Sequence, residues 1–470
     1  MTMDTATDAR SLPRGRVDRL RAALRGPLLE PGSPGYEQGR AIYNGMIDRR
    51  PALIAGCADV ADVMRSVDFA RASGVPVAIR GGGHSGPGLG LCDDGLVIDL
   101  SAMRGVRVDP DARTARVEGG CRWGDVDHAT HAFGLATVSG IVSTTGVGGL
   151  TLGGGHGYLT RKHGLTIDNL IAADVVLADG RFVQANEREH ADLFWALRGG
   201  GGNFGVVTSF LFRLHPVHTV FAGPTLFAMD DAANVLRRYG EVLPRLSDDV
   251  SGFFLFMVVP PAPPFPAALH GRTVCGVMWC ALDEAALEAS RAALREVAAP
   301  VFDYVGPMPY PELQSMFDPL YPPGLRWYWK GDFVRELDED AIAAHVAYGR
   351  ALPTPLSTMH LYPIDGAASR VPPDATAFAY RDARWSSVIV GVGMRPEDDA
   401  RTIDWAREYW RAVHPKSAGG AYVNFMMDEG QERIRATYGA NYDRLVAIKT
   451  HYDPHNFFRN NQNIWPAVSA

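Results

Sequence analysis

Short apolar runs broken by glycine characterise the first half of this chain. Val75 to Ile79 reads as a buried strand, and Leu96 to Leu100 and Thr114 to Val117 as two more. Arg16 to Leu24 reads as a short helix after a polar lead-in. Trp123 to Phe133 carries apolar residues at helical spacing, opened by Gly124-Asp125 and closed by Gly134. Ile171 to Leu177 and Arg181 to Val183 flank Ala178-Asp179-Gly180 and predict a hairpin. A short helix over Asp192 to Leu197 and a strand over Val206 to Leu214 follow. This order lacks the regular strand–helix alternation of a doubly wound parallel sheet and predicts an α+β fold.

The texture changes near residue 216. His215-Pro216 and the run Pro260-Pro261-Ala262-Pro263-Pro264-Phe265-Pro266 mark turns. Val250 to Val259, Thr273 to Trp279, Thr358 to Tyr362 and Ser386 to Val392 read as strands. Ala285 to Ala298 and Asp338 to Tyr348 read as amphipathic helices. The pattern predicts a sheet with helices on one side. No internal repeat is visible.

A chain of 470 residues exceeds the usual size of one domain and predicts two or more lobes. With 46% hydrophobic and 21% charged residues it has ordinary globular composition. The net charge of −7 and the lack of a long basic run exclude nucleic acid as a partner. No apolar run reaches the roughly 18 residues of a membrane span. Met1 to Gly26 has no apolar stretch for a signal peptide, so a cytoplasmic location is expected. Cys57, Cys92, Cys121, Cys275 and Cys280 are scattered, fit no zinc pattern and read as free thiols.

The chemistry concentrates in Arg80-Gly81-Gly82-Gly83-His84-Ser85-Gly86. Three glycines let a backbone approach a ligand closely and present its N–H groups, and an anion such as a pyrophosphate is the usual guest. The imidazole is then held against whatever the anion is attached to. A second block, Gly200-Gly201-Gly202-Asn203-Phe204-Gly205, formally matches GxGxxG. A helix precedes it and a strand follows, the reverse of the dinucleotide-binding order, so NAD binding is not expected.

Several further motifs lie in order along the chain. They are Pro34-Gly35-Tyr36 with Arg40, Tyr43 and Asn44; Gly140 to Gly149; Leu150 to Leu165; Asp168-Asn169; Leu197 to Thr208; Tyr422-Val423-Asn424; and Tyr452-Asp453-Pro454-His455-Asn456-Phe457-Phe458. Together with the histidine turn, they make the chain resemble the FAD-linked oxidases of the berberine bridge enzyme type, which have the vanillyl-alcohol oxidase fold. The central third matches loosely. The resemblance implies a PCMH-type FAD-binding domain in two parts, about 1–215 and 418–470, with a substrate lobe of about 216–417 inserted between them. It implies that Arg80, Gly81, Gly82, Gly83, His84, Ser85, Ser139, Thr144, Thr145, Gly149, Gly154, Gly157, Asn203, Val207 and Asn424 hold FAD.

It also implies particular roles. His84 would bond covalently to the 8α carbon of the flavin, raising its potential. Val142 stands where many members carry a second, cysteinyl link, so a singly linked flavin is expected. Leu150 replaces the histidine of the bridge-forming plant members, which weakens a cyclisation reading. Thr145 takes the place of a residue that gates oxygen, either admitting oxygen or hydrogen-bonding locally. His156 replaces an aromatic over the flavin and is either a base or a packing residue. Tyr422 is the candidate base, with Phe425 where members often have a second tyrosine. Tyr380, in the segment Thr376 to Arg381, either faces substrate or belongs to the core. Ser386 to Val392 lacks the polar group that sugar-oxidising members tend to place there, which favours a less polar substrate.

The expected activity is oxidation of a small molecule, with hydride passing to flavin N5 and oxygen as acceptor. Substrates implied are sugars, oligosaccharide ends or alcohols of secondary metabolites. Two alternatives stay open: a dehydrogenase with another acceptor, and a flavin-bearing binding protein. The sequence leaves oligomeric state undefined.

Overall fold

The computed structural model describes residues 12–467. The polar lead-in before Leu12 lies outside them. Three large sheets and a two-stranded ribbon, Leu135–Ala136 with His215–Pro216, organise the chain.

In the first, Leu53–Gly56, Leu96–Asp99 and Val77–Arg80 run parallel, with Leu28–Leu29 antiparallel at one edge. The helix Val60–Ser73 makes the crossover. Asp59 caps it by accepting the Asp62 N–H at 3.1 Å, and Gly74 ends it at φ +68°. Sequence periodicity missed this helix. It packs Val63, Val67 and Ala70 against Val77, Leu96 and Ile98.

The second sheet is antiparallel, in the order Val106–Asp109, Thr114–Glu118, Val206–Arg213, Leu170–Val176, Phe182–Asn186. The expected hairpin at Asp179-Gly180 joins its last two strands. The helix Trp123–His131 lies on it, as expected. So do helices that were not read from the sequence, Gly430–Tyr438 and Tyr442–Tyr452, through Ile434, Leu445 and Ile448. The chain thus returns at its end to the part built first.

The third sheet is wholly antiparallel and spans residues 219–393. Its strands alternate strictly in what they bury. Phe254, Phe256, Trp279 and Ile389 face a layer of helices, Ala232–Val242, Glu284–Arg295, Glu339–Arg350 and Asp399–Val413. Each fully buried phenylalanine there contributes about 1.5–3 kcal/mol. Phe253, Leu255, Tyr362, Val388 and Val390 face the other way, toward Tyr43, Val138 and Tyr158 of the first half. The helices therefore occupy one side only, as expected, and the bare side closes over the glycine-rich turns. Four strands of this sheet were absent from the sequence reading: the long Thr219–Ala228 and Arg326–Val334 and the short Phe302–Asp303 and Gly306–Pro309. No helix among the described residues is long and apolar enough to cross a membrane.

Candidate active site

A cavity of about 380 Å³ lies between the bare face of the large sheet and the glycine turns. Its floor is the turn after the strand Val77–Arg80. A Cβ on Gly82 would sit 2.4 Å from Gly146 Cα, so this turn and the second glycine block are in backbone contact. Gly149 and Gly202, which also border the cavity, have open space where a Cβ would stand. Bare backbone thus lines a cleft that no side chain fills, a cradle suited to an extended ligand with a phosphate-bearing arm.

His84 rises from this floor. Its ring stacks on Tyr43, with centroids 3.9 Å apart and planes at 15°. Tyr43 stacks in turn on Trp327, and its hydroxyl donates to the Tyr321 carbonyl at 2.9 Å. The imidazole is therefore held in one orientation. Burial pushes its pKa down to about 3, with the Arg122 charge acting in the same direction. A neutral imidazole with a free lone pair is the state a carbon–nitrogen bond requires.

Arg80 contributes differently from expectation. Its guanidinium is a bidentate partner of Asp99, at 3.1 and 2.6 Å, and also donates to the Gly39 carbonyl. Its charge shapes the turn and is not offered to a ligand. Among the described residues it is the only lining side chain with a permanent charge. Ser85 lines the cavity and accepts the Leu89 N–H at 3.0 Å.

Tyr422, Asn424 and His156 form the opposite side. The Tyr422 hydroxyl accepts the Asn424 amide at 2.8 Å and the Gly155 N–H at 3.1 Å, and donates to the Leu150 carbonyl at 3.4 Å. Burial raises its pKa, while Asn424 and Gly155 pull the other way. A Cβ on Gly153 would fall 2.4 Å from the Asn424 amide, which is why glycine stands there. The His156 ring centre lies 4.5 Å from that of Tyr422 and 5.1 Å from that of Tyr362. Neither ring nitrogen has a partner among the described residues, and burial pushes the pKa down to about 3. Two orphaned nitrogens on the cavity wall call for a polar ligand.

Thr145, Val142, Leu150, Val207 and Asn203 also line the cavity. The Asn203 side chain is spent on protein: its amide reaches the Gly200 and Gln462 carbonyls at 2.9 and 3.1 Å, and its oxygen accepts the Ile464 N–H at 2.9 Å. It stitches the C-terminal segment onto the site.

Five expected residues do not border the cavity. Tyr380 stacks on Phe333 at 4.7 Å and donates to the Ala436 carbonyl at 2.7 Å. Arg381, bidentate on Asp168 at 2.8 Å, fixes that segment away from the site. Ser139 is buried in a polar cluster with Tyr310 and Gln314. Gly154 and Gly157 allow backbone packing: a Cβ would lie 2.8 Å from the Phe378 ring and 2.2 Å from the Ser139 carbonyl oxygen respectively. Thr144 lies behind the lining, its buried hydroxyl without a partner among the described residues.

Three residues that the sequence reading did not single out as site residues do line it. Thr358, His360 and Tyr362 alternate along one strand with Met359 and Leu361, which enter the helix-side core. The period-2 spacing of polar residues within a strand was the available signal.

The glycine cradle, the stacked His84 and Tyr422 with two donors on its oxygen suit a flavin-dependent oxidoreductase. Comparison with known proteins agrees. Residues 51–186 match the FAD binding domain model, and residues 421–465 match the berberine and berberine like model. An FAD-linked oxidoreductase of Dictyostelium discoideum is 32% identical, covering 96% of this chain and 97% of its own. The (R)-6-hydroxynicotine oxidase of Paenarthrobacter nicotinovorans is 30% identical, covering 95% and 98%. The structure of xylooligosaccharide oxidase from Myceliophthora thermophila, solved with xylobiose, superposes with a TM-score of 0.83 at 26% identity, covering 97% of this chain and 100% of that one. The chain belongs to the berberine-like FAD-linked oxidoreductases.

Proposed function

We propose that this protein is an oxidase that carries FAD covalently on His84 and oxidises an alcohol or C–H carbon of a sugar, oligosaccharide end or secondary metabolite. The observation that carries the reading is that His84, Tyr422 and His156 face one cavity. When bound, FAD accepts a hydride at N5 and returns the electrons to oxygen, giving hydrogen peroxide. The cradle at Gly81, Gly82, Gly83, Gly149 and Gly202 would hold it. Val142 in the lining supports a single link, since valine forms no thioether. Thr145, no bulkier than valine, supports oxygen access.

Tyr422 takes the substrate's hydroxyl proton as its phenolate, the form that the Asn424 and Gly155 donors to its oxygen favour against burial, and His156 beside it orients the substrate. The boundaries proposed are a cofactor domain of 1–215 and 418–470 around a substrate lobe of 216–417. Five free, buried cysteines support a reducing, cytoplasmic setting. The test is acid denaturation of the yellow protein. Flavin retained on the His84 peptide is expected, and flavin released into the supernatant overturns the covalent reading.

A further inference from the structure

The strand Thr358–Pro363 carries a hydrogen-bonded chain that the oxidase reading leaves unused. Thr358 Oγ1 lies 2.7 Å from the Phe256 carbonyl. A carbonyl only accepts, so the hydroxyl's single proton points there. Thr358 Oγ1 therefore receives the hydrogen bond from His360 Nε2, 3.0 Å away. Burial pushes the His360 pKa down to about 3, so the ring is neutral and has one N–H. Nδ1 is then a bare acceptor, and the Tyr362 hydroxyl, 2.6 Å away, donates to it. The direction of the whole chain is set by one backbone carbonyl. Tyr362 reaches the cavity with its proton already committed inward and only lone pairs to offer.

The surroundings define what can meet those lone pairs. Val388 and Val390 of the next strand, with Phe317, Tyr321 and Trp329, make this wall apolar and aromatic. The cavity has no lining carboxylate or lysine among the described residues, and Arg80 is neutralised by Asp99. A charged group against this wall, away from the backbone N–H groups of the glycine turns, would lose water and gain no counter-charge. His156, 5% exposed, presents two unpartnered nitrogens beside Tyr362. The site thus contains polar groups that no described residue satisfies.

We propose that Tyr362, oriented by His360 and Thr358, is a specificity-determining acceptor that receives an O–H or N–H donor of a neutral, largely apolar substrate. That the bound molecule is a substrate rests on the oxidase reading. The acceptor polarity rests on the hydrogen bonds alone. A chain that served only to tie the strand to its neighbours would show no dependence on the ligand's donor.

The test titrates the flavin-loaded protein with phenol, anisole, benzoate and benzylammonium, read by calorimetry and by the flavin absorption spectrum. Phenol is expected to bind about 3- to 10-fold tighter than anisole, the worth of one hydrogen bond, and tighter than either ion. Tyr362→Phe should abolish the phenol preference. His360→Leu should free the Tyr362 proton toward the cavity and favour acetophenone, which only accepts. A spectrum of 15N-histidine-labelled protein should show His360 protonated at Nε2 and bare at Nδ1. Equal binding of phenol and anisole by the unsubstituted protein, tighter binding of either ion, or an Nδ1-protonated His360 overturns the proposal even if a variant fails to fold. An enzyme that oxidises no alcohol yet keeps the phenol preference sinks the oxidase reading and leaves the acceptor standing.

Discussion

The Tyr422 hydroxyl and the Asn424 side-chain amide lie 2.8 Å apart, joined across the start of a single 3-10 turn, Val423–Phe425. The amide also reaches the Gly149 and Leu150 carbonyls, at 3.1 and 3.3 Å. One asparagine therefore fixes the phenol relative to the glycine cradle. Tyr422→Phe keeps the ring and loses the oxygen. Flavin content should be unchanged, and flavin reduction by substrate should fall about 10²-fold or more. Stopped-flow reduction measures this, and an unaltered rate would remove Tyr422 from the proton path.

Gly82 has no room for a side chain against Gly146. Gly82→Ala should force the two turns apart and lower the yield of flavin-bearing protein. His84→Ala should leave the turns in contact and yield protein whose flavin is released by acid. The ratio of absorbance near 450 and 280 nm, before and after acid precipitation, separates the two outcomes.

Lys449 is fully buried beneath the site. Its ammonium donates to Asp453 at 2.6 Å and to the Asn203 and Phe458 carbonyls at 2.8 and 3.0 Å. Lys449→Met strands the Asp453 carboxylate in the interior and should cost about 3–5 kcal/mol in a urea melt. Adding Asp453→Asn should recover part of that loss, because the uncompensated charge goes with it.

Asp127 is buried beside Gln314, 3.4 Å from its amide, and burial pushes its pKa up to about 8. Between its ordinary value of 3.8 and about 8, the folded chain holds a proton that the unfolded chain has released. Stability therefore falls as pH rises through that window. His156 and His360 act on the other side. Their pKa values drop to about 3, so the unfolded chain binds more protons below 6.5 and stability falls as pH falls. Asp127→Asn should remove the downward slope between about 4 and 8 from a Tm-against-pH curve, so that the histidine-driven fall below 6.5 becomes steeper.

The glycine turns and the strands feeding them were legible because they obey local rules: apolar runs, then residues without a Cβ. Thr219–Ala228 was not, because Gly223-Pro224 imitates a turn inside a paired strand. Arg326–Val334 hid its period because seven of its nine residues are buried. Asp399–Val413 and the two C-terminal helices owe their packing to partners distant in sequence, on the large sheet and on the helix Ala191–Leu197. At the site, motifs located His84, Tyr422 and Asn424, but Tyr380 shows that a motif places a residue only as well as its anchors do. Thr358, His360 and Tyr362 were passed over because polar residues on one face of a strand usually meet solvent. Here that face meets a cavity.

The return of residues 422–426 and 458–462 to the cavity wall has a temporal meaning. During synthesis, the glycine turns and the large sheet emerge before Tyr422, Asn424 and the Gln462 carbonyl that anchors Asn203. A nascent chain can present His84 and half a cradle, but the wall opposite is still inside the ribosome. Cofactor capture is therefore a late step, completed when the last helices dock, and a ribosome that stops early leaves an open cleft with no phenol to work it.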